Sequence, residues 1–335
     1  MFRSFFLSRR WLPWSVFGTI AILLGTWYRV QLDVQINEWF GTFYDLLQKA
    51  LSAPGSVTLP QYWQQVMTFF SIAMVYITLM VLLDFFIKHY VFRWRQAMND
   101  YYMQYWPKLR TIEGAAQRVQ EDTMRFARIV EGLGVELMRS LMTLAAFLPI
   151  LWALSDKITS IPFLGAVPHS LVWVSIGWAL LGTGLLAVTG ILLPGLEFQN
   201  QRVEAAYRKE LVYGEDDPAR ATEPIATALF QHVRRNYFRL FFHYLYFDVV
   251  KWSYLQASVL VPLVAMGPTV VAGVITLGVY QQIARAFDKV TESFQYLVMS
   301  WSTIIELVSV YKRLRAFEAR IHDEELPAPP LGAEL

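Results

Sequence analysis

Long apolar runs separated by clusters of charge set the organisation of this chain. Six stretches read as membrane-crossing helices: 11–30, 62–86, 137–155, 171–193, 240–265 and 269–290. Each is near the roughly 20 apolar residues a helix needs to cross a hydrocarbon core of about 30 Å. The apolar periodicity continues past several of these limits. Residues 61–106 read as one helix, and so do residues 269–317; at 1.5 Å per residue the second would be about 70 Å long, more than any bilayer. Gly267-Pro268 predicts a tight turn between the last two spans. Arg3, Arg9 and Arg10 precede an uncharged run over 11–28, the outline of a signal peptide. That run is long and no small-x-small site closes it, so a retained first span is expected. About 25 residues follow Val310, so the expectation is a single transmembrane domain over 1–335, without an attached soluble domain.

Lysine and arginine orient the spans. The first ten residues carry three, 88–128 carry eight, 197–239 carry seven and the tail after 310 carries four, together 22 of 29. The alternate connections, 31–61, 156–168 and 266–268, hold only Lys49 and Lys157. The positive-inside rule then predicts cytoplasmic termini and two long, basic cytoplasmic connections. Short outer and long helical inner connections are the layout of an exporter-type transmembrane domain: all-α, six spans, helices extending into the cytoplasm, no nucleotide-binding domain.

Composition narrows the chemistry. Charged residues make up 17% and the mean hydropathy is +0.35, against about 25% charged in soluble domains; the surface is therefore expected to meet lipid. The formal charge of +2 lacks the concentrated basic face that nucleic-acid binding needs. With no cysteine, disulfides, thiolate catalysis and cysteine metal sites are excluded. The 12 Trp and 17 Tyr suit interfacial aromatic belts. No G-x-x-x-x-G-K-[ST], H-E-x-x-H or G-x-S-x-G occurs, and His89, His169, His232, His243 and His322 lack metal-ligand spacing. Neither an enzyme activity nor a cofactor is expected. Gly182, Gly184 and Gly190 sit in an apolar span and read as close-packing positions for a neighbouring helix.

The carboxylates carry the candidate chemistry. One acidic segment holds Glu113, Glu121 and Asp122 and continues to Glu131 and Glu136, where the third span begins. A second holds Glu197, Glu204, Glu210 and Glu215. On one helix, Glu197, Glu204 and Glu215 point the same way within about 20° and Glu210 points away. Glu113 and Glu131, five turns apart, align if their helix is unbroken. A carboxylate facing a partly dehydrated cavity takes up and releases protons near neutral pH, the usual role of intramembrane acids in transporters. Solvated helix faces paired to Arg118, Arg125, Arg202 and Arg208 are the alternative. Asp84 is expected to pair with Lys88, and Asp248 with Lys251. Arg285, Asp288, Lys289 and Glu292 form a self-balancing face, and Glu306 has no acidic neighbour in sequence.

Several long stretches resemble one family. They include Phe43-Tyr44-Asp45-Leu46, His89-Tyr90-Val91-Phe92-Arg93-Trp94-Arg95, residues 112–126, Leu193-Pro194-Gly195-Leu196-Glu197-Phe198, residues 201–217, Asn236-Tyr237-Phe238-Arg239-Leu240 and Tyr311-Lys312-Arg313-Leu314-Arg315. From about 34 to 317 the chain resembles the SbmA/BacA peptide-antibiotic transporters. That resemblance implies a homodimer in the bacterial inner membrane, importing peptides (antimicrobial peptides, microcins, glycopeptides) on the proton gradient. It implies transport roles for Glu121, Glu131, Glu204, Glu215 and Glu306. Family members carry an additional membrane helix before the part matching Val34, where this sequence has room for one span. The transmembrane half of an ATP-driven transporter with a separate ATPase subunit is the competing expectation.

Overall fold

The computed structural model describes residues 1–112, 115–162, 165, 167–217 and 219–321, and among them the regular elements are helical. They are α1 Phe2–Phe6, α2 Leu12–Ser52, α3 Leu59–Gln104, α4 Trp106–Leu109 and α5 Ala115–Gln117. A π-helical turn, Arg118–Asp122, leads into α6 Thr123–Ser155. Then follow α7 Ser170–Gly190, α8 Leu193–Asp216, α9 Glu223–Val271, α10 Leu277–Met299 and α11 Trp301–Ala319.

Among the described residues, four helical stretches are long and apolar enough to cross a membrane: Leu59–Gln104, Ala115–Ser155, Ser170–Asp216 and Glu223–Val271. Their outer faces show why. On α3, Met67, Phe70, Val81, Leu82 and Phe85 are exposed, and on α9 so are Phe238, Phe241, Phe242, Leu245 and Trp252. Such contiguous apolar faces are uncommon on soluble domains. Although α2 and α10 cover expected spans, they carry Arg29, Asp33 and Glu38, and Arg285, Asp288, Lys289 and Glu292.

Helix ends follow local chemistry. At the start of α3, Thr58 and Gln61 form a reciprocal capping box, with the Thr58 N–H donating to Gln61 Oε1 at 2.9 Å, and Pro60 fills a position that needs no N–H. This fixes the single long helix expected over 61–106. The other expected limits move. Gly267-Pro268 is not the turn: α9 continues through both to Val271. Proline removes one donor and leaves one carbonyl unmatched, and near a helix end that loss is small. The chain turns at Gly273 instead, where φ is +68°, a conformation open to glycine. Nor do residues 269–317 form one helix, because α10 starts at Leu277 and Ser300 separates it from α11.

The chain divides into two compact units. The first, Met1–Val172 with Met266–Leu335, is a bundle in which α10 packs on α6 and α2, and α2 on α3. At one end, α1, α3, α6 and α11 enclose Phe5, Met98, Tyr102, Phe126, Leu314 and Phe317, all essentially inaccessible. At the other end α2 receives the start of α10. The Leu277 N–H donates to Gln48 Oε1 at 2.7 Å and the Gly278 N–H to Asp45 Oδ1 at 2.8 Å, so two donors that a helix start leaves unpaired are satisfied by another helix. Asp45→Ala is expected to cost about 1 kcal/mol, read as a lower denaturation midpoint in detergent; an unchanged midpoint would show that the cap contributes nothing.

The second unit, Trp173–Ala265, joins the rest of α7 to α8 and most of α9. Trp178 Nε1 donates to Ser258 Oγ at 2.7 Å, and the Trp178 and Tyr254 rings stack at 5.1 Å. Two of the three expected packing glycines serve that purpose. A Cβ on Gly182 would collide with the Tyr254 ring, and one on Gly190 would come 3.0 Å from Phe247. At Gly184 nothing lies within 4 Å, so it is not a packing position in this unit.

Candidate functional site

The π-helical turn Arg118–Asp122 places two adjacent carboxylates on different arginines. π turns are rare and recur at functional sites because the extra residue redirects the side chains that follow. Glu121 Oε1 accepts from an Arg125 terminal nitrogen at 3.0 Å and Oε2 from Gln117 Nε2 at 3.1 Å. The same Arg125 reaches across to α11, its Nε lying 3.7 Å from Glu306 Oε1. Glu306 therefore does have an acidic neighbour, brought by the fold from 185 positions away. All three side chains are close to half exposed, so each pair is worth about 0–1 kcal/mol.

Asp122, 4% accessible, takes the two-pronged arrangement. Both its oxygens accept from Arg313 on α11, at 2.9 and 3.0 Å, and Arg313 also donates to Ser309 Oγ at 3.1 Å. The hydrogen bond to Asp122 raises the Arg313 pKa above its already high value, so this arginine stays charged at any working pH. Planar guanidinium and carboxylate match in this bidentate form.

The same π turn breaks the alignment expected for Glu113 and Glu131. One residue more per turn rotates everything beyond it by about 100°, and Glu113 itself lies outside the described residues. Glu131 stands half-buried on α6 and makes no ion pair within 4 Å among the described residues. Lys88 on α3 feels the Glu131 charge but bonds Asp84 at 2.8 Å, the pairing the sequence predicts. Two residues on, the Leu133 carbonyl accepts from the Tyr296 hydroxyl of α10 at 2.8 Å, while Glu136 pairs with Arg139 at 2.6 Å.

In the second unit α8 runs unbroken from Leu193 to Asp216, so Glu197, Glu204 and Glu215 share one stripe as their spacing requires. Glu197 accepts from the Tyr244 hydroxyl at 2.8 Å. Glu204 is half-buried and Glu215 exposed, and neither makes an ion pair within 4 Å among the described residues. Glu210 points elsewhere and holds Arg220 at 3.4 Å and the Ala221 N–H at 3.2 Å.

The expected self-balancing face of α10 is corrected by a partner on another helix. Lys289 lies 3.6 Å from Asp33 of α2, and Asp33 is 7% accessible. Arg285 sits over the Phe40 ring at 4.1 Å, with its buried Nε unpaired. Asn37, one turn from Asp33, is 1% accessible with Oδ1 unpaired. Sequence reasoning passed over Asp33 and Asn37; their signal was a polar stripe on α2 inside an otherwise apolar hairpin. Lys251 lies over the Trp252 ring at 5.4 Å.

Residues 8–322 match the model described as the SbmA/BacA-like family. The inner membrane ABC transporter ATP-binding protein YddA of Escherichia coli (strain K12) is 23% identical over 324 residues, covering 89% of this chain and 55% of that protein. The uncharacterized ABC transporter ATP-binding protein sll0182 of Synechocystis sp. (strain ATCC 27184 / PCC 6803 / Kazusa) is 21% identical, covering 93% of this chain and 47% of its own length. An uncharacterized ABC transporter ATP-binding protein of Haemophilus influenzae (strain ATCC 51907 / DSM 11121 / KW20 / Rd) is 22% identical over 63% of this chain. The chain spans about half the length of the first two relatives.

Proposed function

The chain belongs to the SbmA/BacA-like family, and from that premise we propose that it imports peptides across the bacterial inner membrane on the proton gradient. It works as a homodimer of exporter-type, six-span subunits, with both termini and the basic connections in the cytoplasm. Its cargo is the family's: antimicrobial peptides, microcins and glycopeptides. Protonation of Glu121, Glu131, Glu204, Glu215 and Glu306 couples the gradient to movement.

The family match over 8–322 carries this reading, since it takes in nearly every helix. Glu131 supports the coupling step. A half-buried carboxylate without an ion pair changes its hydration whenever the surrounding helices move, and with it its proton affinity. A glutamine keeps the size and loses the proton. In proteoliposomes with an imposed proton gradient, Glu131→Gln is expected to reduce labelled-peptide uptake about a hundredfold or more, the scale of one lost proton transfer. Its melting behaviour should match the parent's. Uptake that survives collapse of the gradient would sink the proposal.

A second reading has its own support, because three of the matched relatives are named ABC transporter ATP-binding proteins. Here the chain would be the membrane half of an ATP-driven transporter with the ATPase as a separate subunit. Vanadate-sensitive transport and co-purification of an ATPase favour it; gradient-driven uptake in ATP-free vesicles rules it out.

A further inference from the structure

The π-helical turn and α11 are joined by two ion-pair systems of opposite character, and we propose that one is a fixed joint and the other a proton-operated switch. Asp122–Arg313 is the joint. Arg125, contested by Glu121 and Glu306, is the switch, and its role is to position α11 according to the protonation of Glu306. The inference rests on the proposed function in taking Glu306 as a coupling carboxylate. Arg125, Asp122 and Arg313 are its new content.

The geometry ranks the partners. Arg125 makes a hydrogen bond to Glu121 at 3.0 Å, one helical turn away on the same continuous stretch. Its approach to Glu306 is 3.7 Å, an ion pair without a hydrogen bond. Two carboxylates share one guanidinium here, and Glu306, the one that receives no hydrogen bond from it, loses least when a proton takes its charge. Once Glu306 is neutral, Arg125 belongs to Glu121 alone and the second tie between the turn and α11 is gone. Asp122–Arg313 remains because it is two-pronged and its carboxylate is buried. Weak exposed pairs suit a switch, since such a pair is broken without a large barrier. Neighbouring residues on a helix point in different directions, so Glu121 reaches Arg125 on its own helical stretch while Asp122 reaches Arg313 on α11.

The charged groups around the switch come from each packed element. The turn supplies Glu121, Asp122 and Arg118, the last lying over the Phe317 ring. From α6 comes Arg125, from α11 Glu306 and Arg313, and from α3 Arg95, bonded to the Gln120 carbonyl at 3.4 Å. Arg313 feels Glu121 and Glu306 as well as Asp122, so the loss of one negative charge from Glu306 still leaves the joint its own partner.

The test uses the absence of native cysteine. Spin labels at Met124→Cys on α6 and Val308→Cys on α11, both outward-facing positions, report the separation of the two helices in nanodiscs. Distances are read at about pH 3 and about pH 8, below and above the ordinary glutamate value of about 4.3. The parent is expected to shift its distance distribution between the two. Arg125→Gln and Glu306→Gln should show the acid-type distribution at both. Arg125→Lys keeps the charge but not the fork, so it should hold the Glu121 pair and behave like Arg125→Gln. Asp122→Asn should broaden the distribution at both pH values. Thermal midpoints of Arg125→Gln and Glu306→Gln near the parent's exclude misfolding. A parent distance that ignores pH, or an Arg125→Gln variant that still shifts, overturns the proposal. The labels need neither cargo nor gradient. A switch that responds to pH in a chain that does not import leaves this inference standing and removes the transport reading, and importing chains with a pH-insensitive switch do the reverse.

Discussion

Gly278→Ala is expected to lower stability by about 3 kcal/mol, the sum of overpacking and a damaged cap. A Cβ at this position would run into the carbonyl oxygen of Gly41 and the carboxylate of Asp45. The first is backbone and cannot rotate away. Either α10 or α2 must retreat, and the retreat breaks the Asp45 and Gln48 bonds to the start of α10. Denaturation in detergent measures the loss. Gly184→Ala provides the opposite sign: with nothing within 4 Å, alanine mid-helix is expected to gain up to about 1 kcal/mol. Equal midpoints for the two variants would mean that the α2–α10 approach does not constrain the fold.

Phe5→Ala is expected to cost about 3 kcal/mol and to release α1. A five-residue helix has no stability of its own, so its docking depends on contacts with the other helices. Phe5 is fully enclosed, with its ring 5.8 Å from Trp94 in a stacked arrangement and 5.2 Å from Tyr90 edge-on. Trp94 Nε1 also donates to the Met1 carbonyl at 3.2 Å. Hydrogen exchange should show the amide of Leu7, which bonds the Arg3 carbonyl at 3.2 Å, losing protection first, ahead of α3 and α11. Full protection of this amide in Phe5→Ala would refute the anchoring role.

Much of this architecture is legible from the sequence, and the exceptions share causes. Helices and their exposed faces follow from local periodicity, so the long α3 and the apolar face of α9 are readable, as is the i,i+4 pair of Asp84 and Lys88. The turn after α9 was misplaced because Gly-Pro signals a turn only where the lost hydrogen bond matters; Gly273, among small and branched apolar residues, gave no comparable sign. The π turn has no compositional signature, and the sequence alone does not show that Asp122 is buried against Arg313 while Glu121 stays half exposed. Pairs across the bundle, Asp33 with Lys289 and Glu306 with Arg125, join positions 256 and 181 residues apart, and only packing brings them together. Among the candidate carboxylates, Glu121 and Glu306 share a cluster. Glu131 stands apart on α6, and Glu204 and Glu215 belong to the second unit.

The unbroken length of α2 has a mechanical consequence. Its 41 residues make a rod of about 60 Å, with one end beside the α1 aromatic core and the other holding the start of α10. A rod of that length converts angle into travel: a tilt of about 5° at the first end moves the second by about 5 Å, more than a hydrogen bond can stretch. The grip of Asp45 and Gln48 on α10 is thus sensitive to small rotations far away, and α2 acts as a lever between the two ends of the first unit.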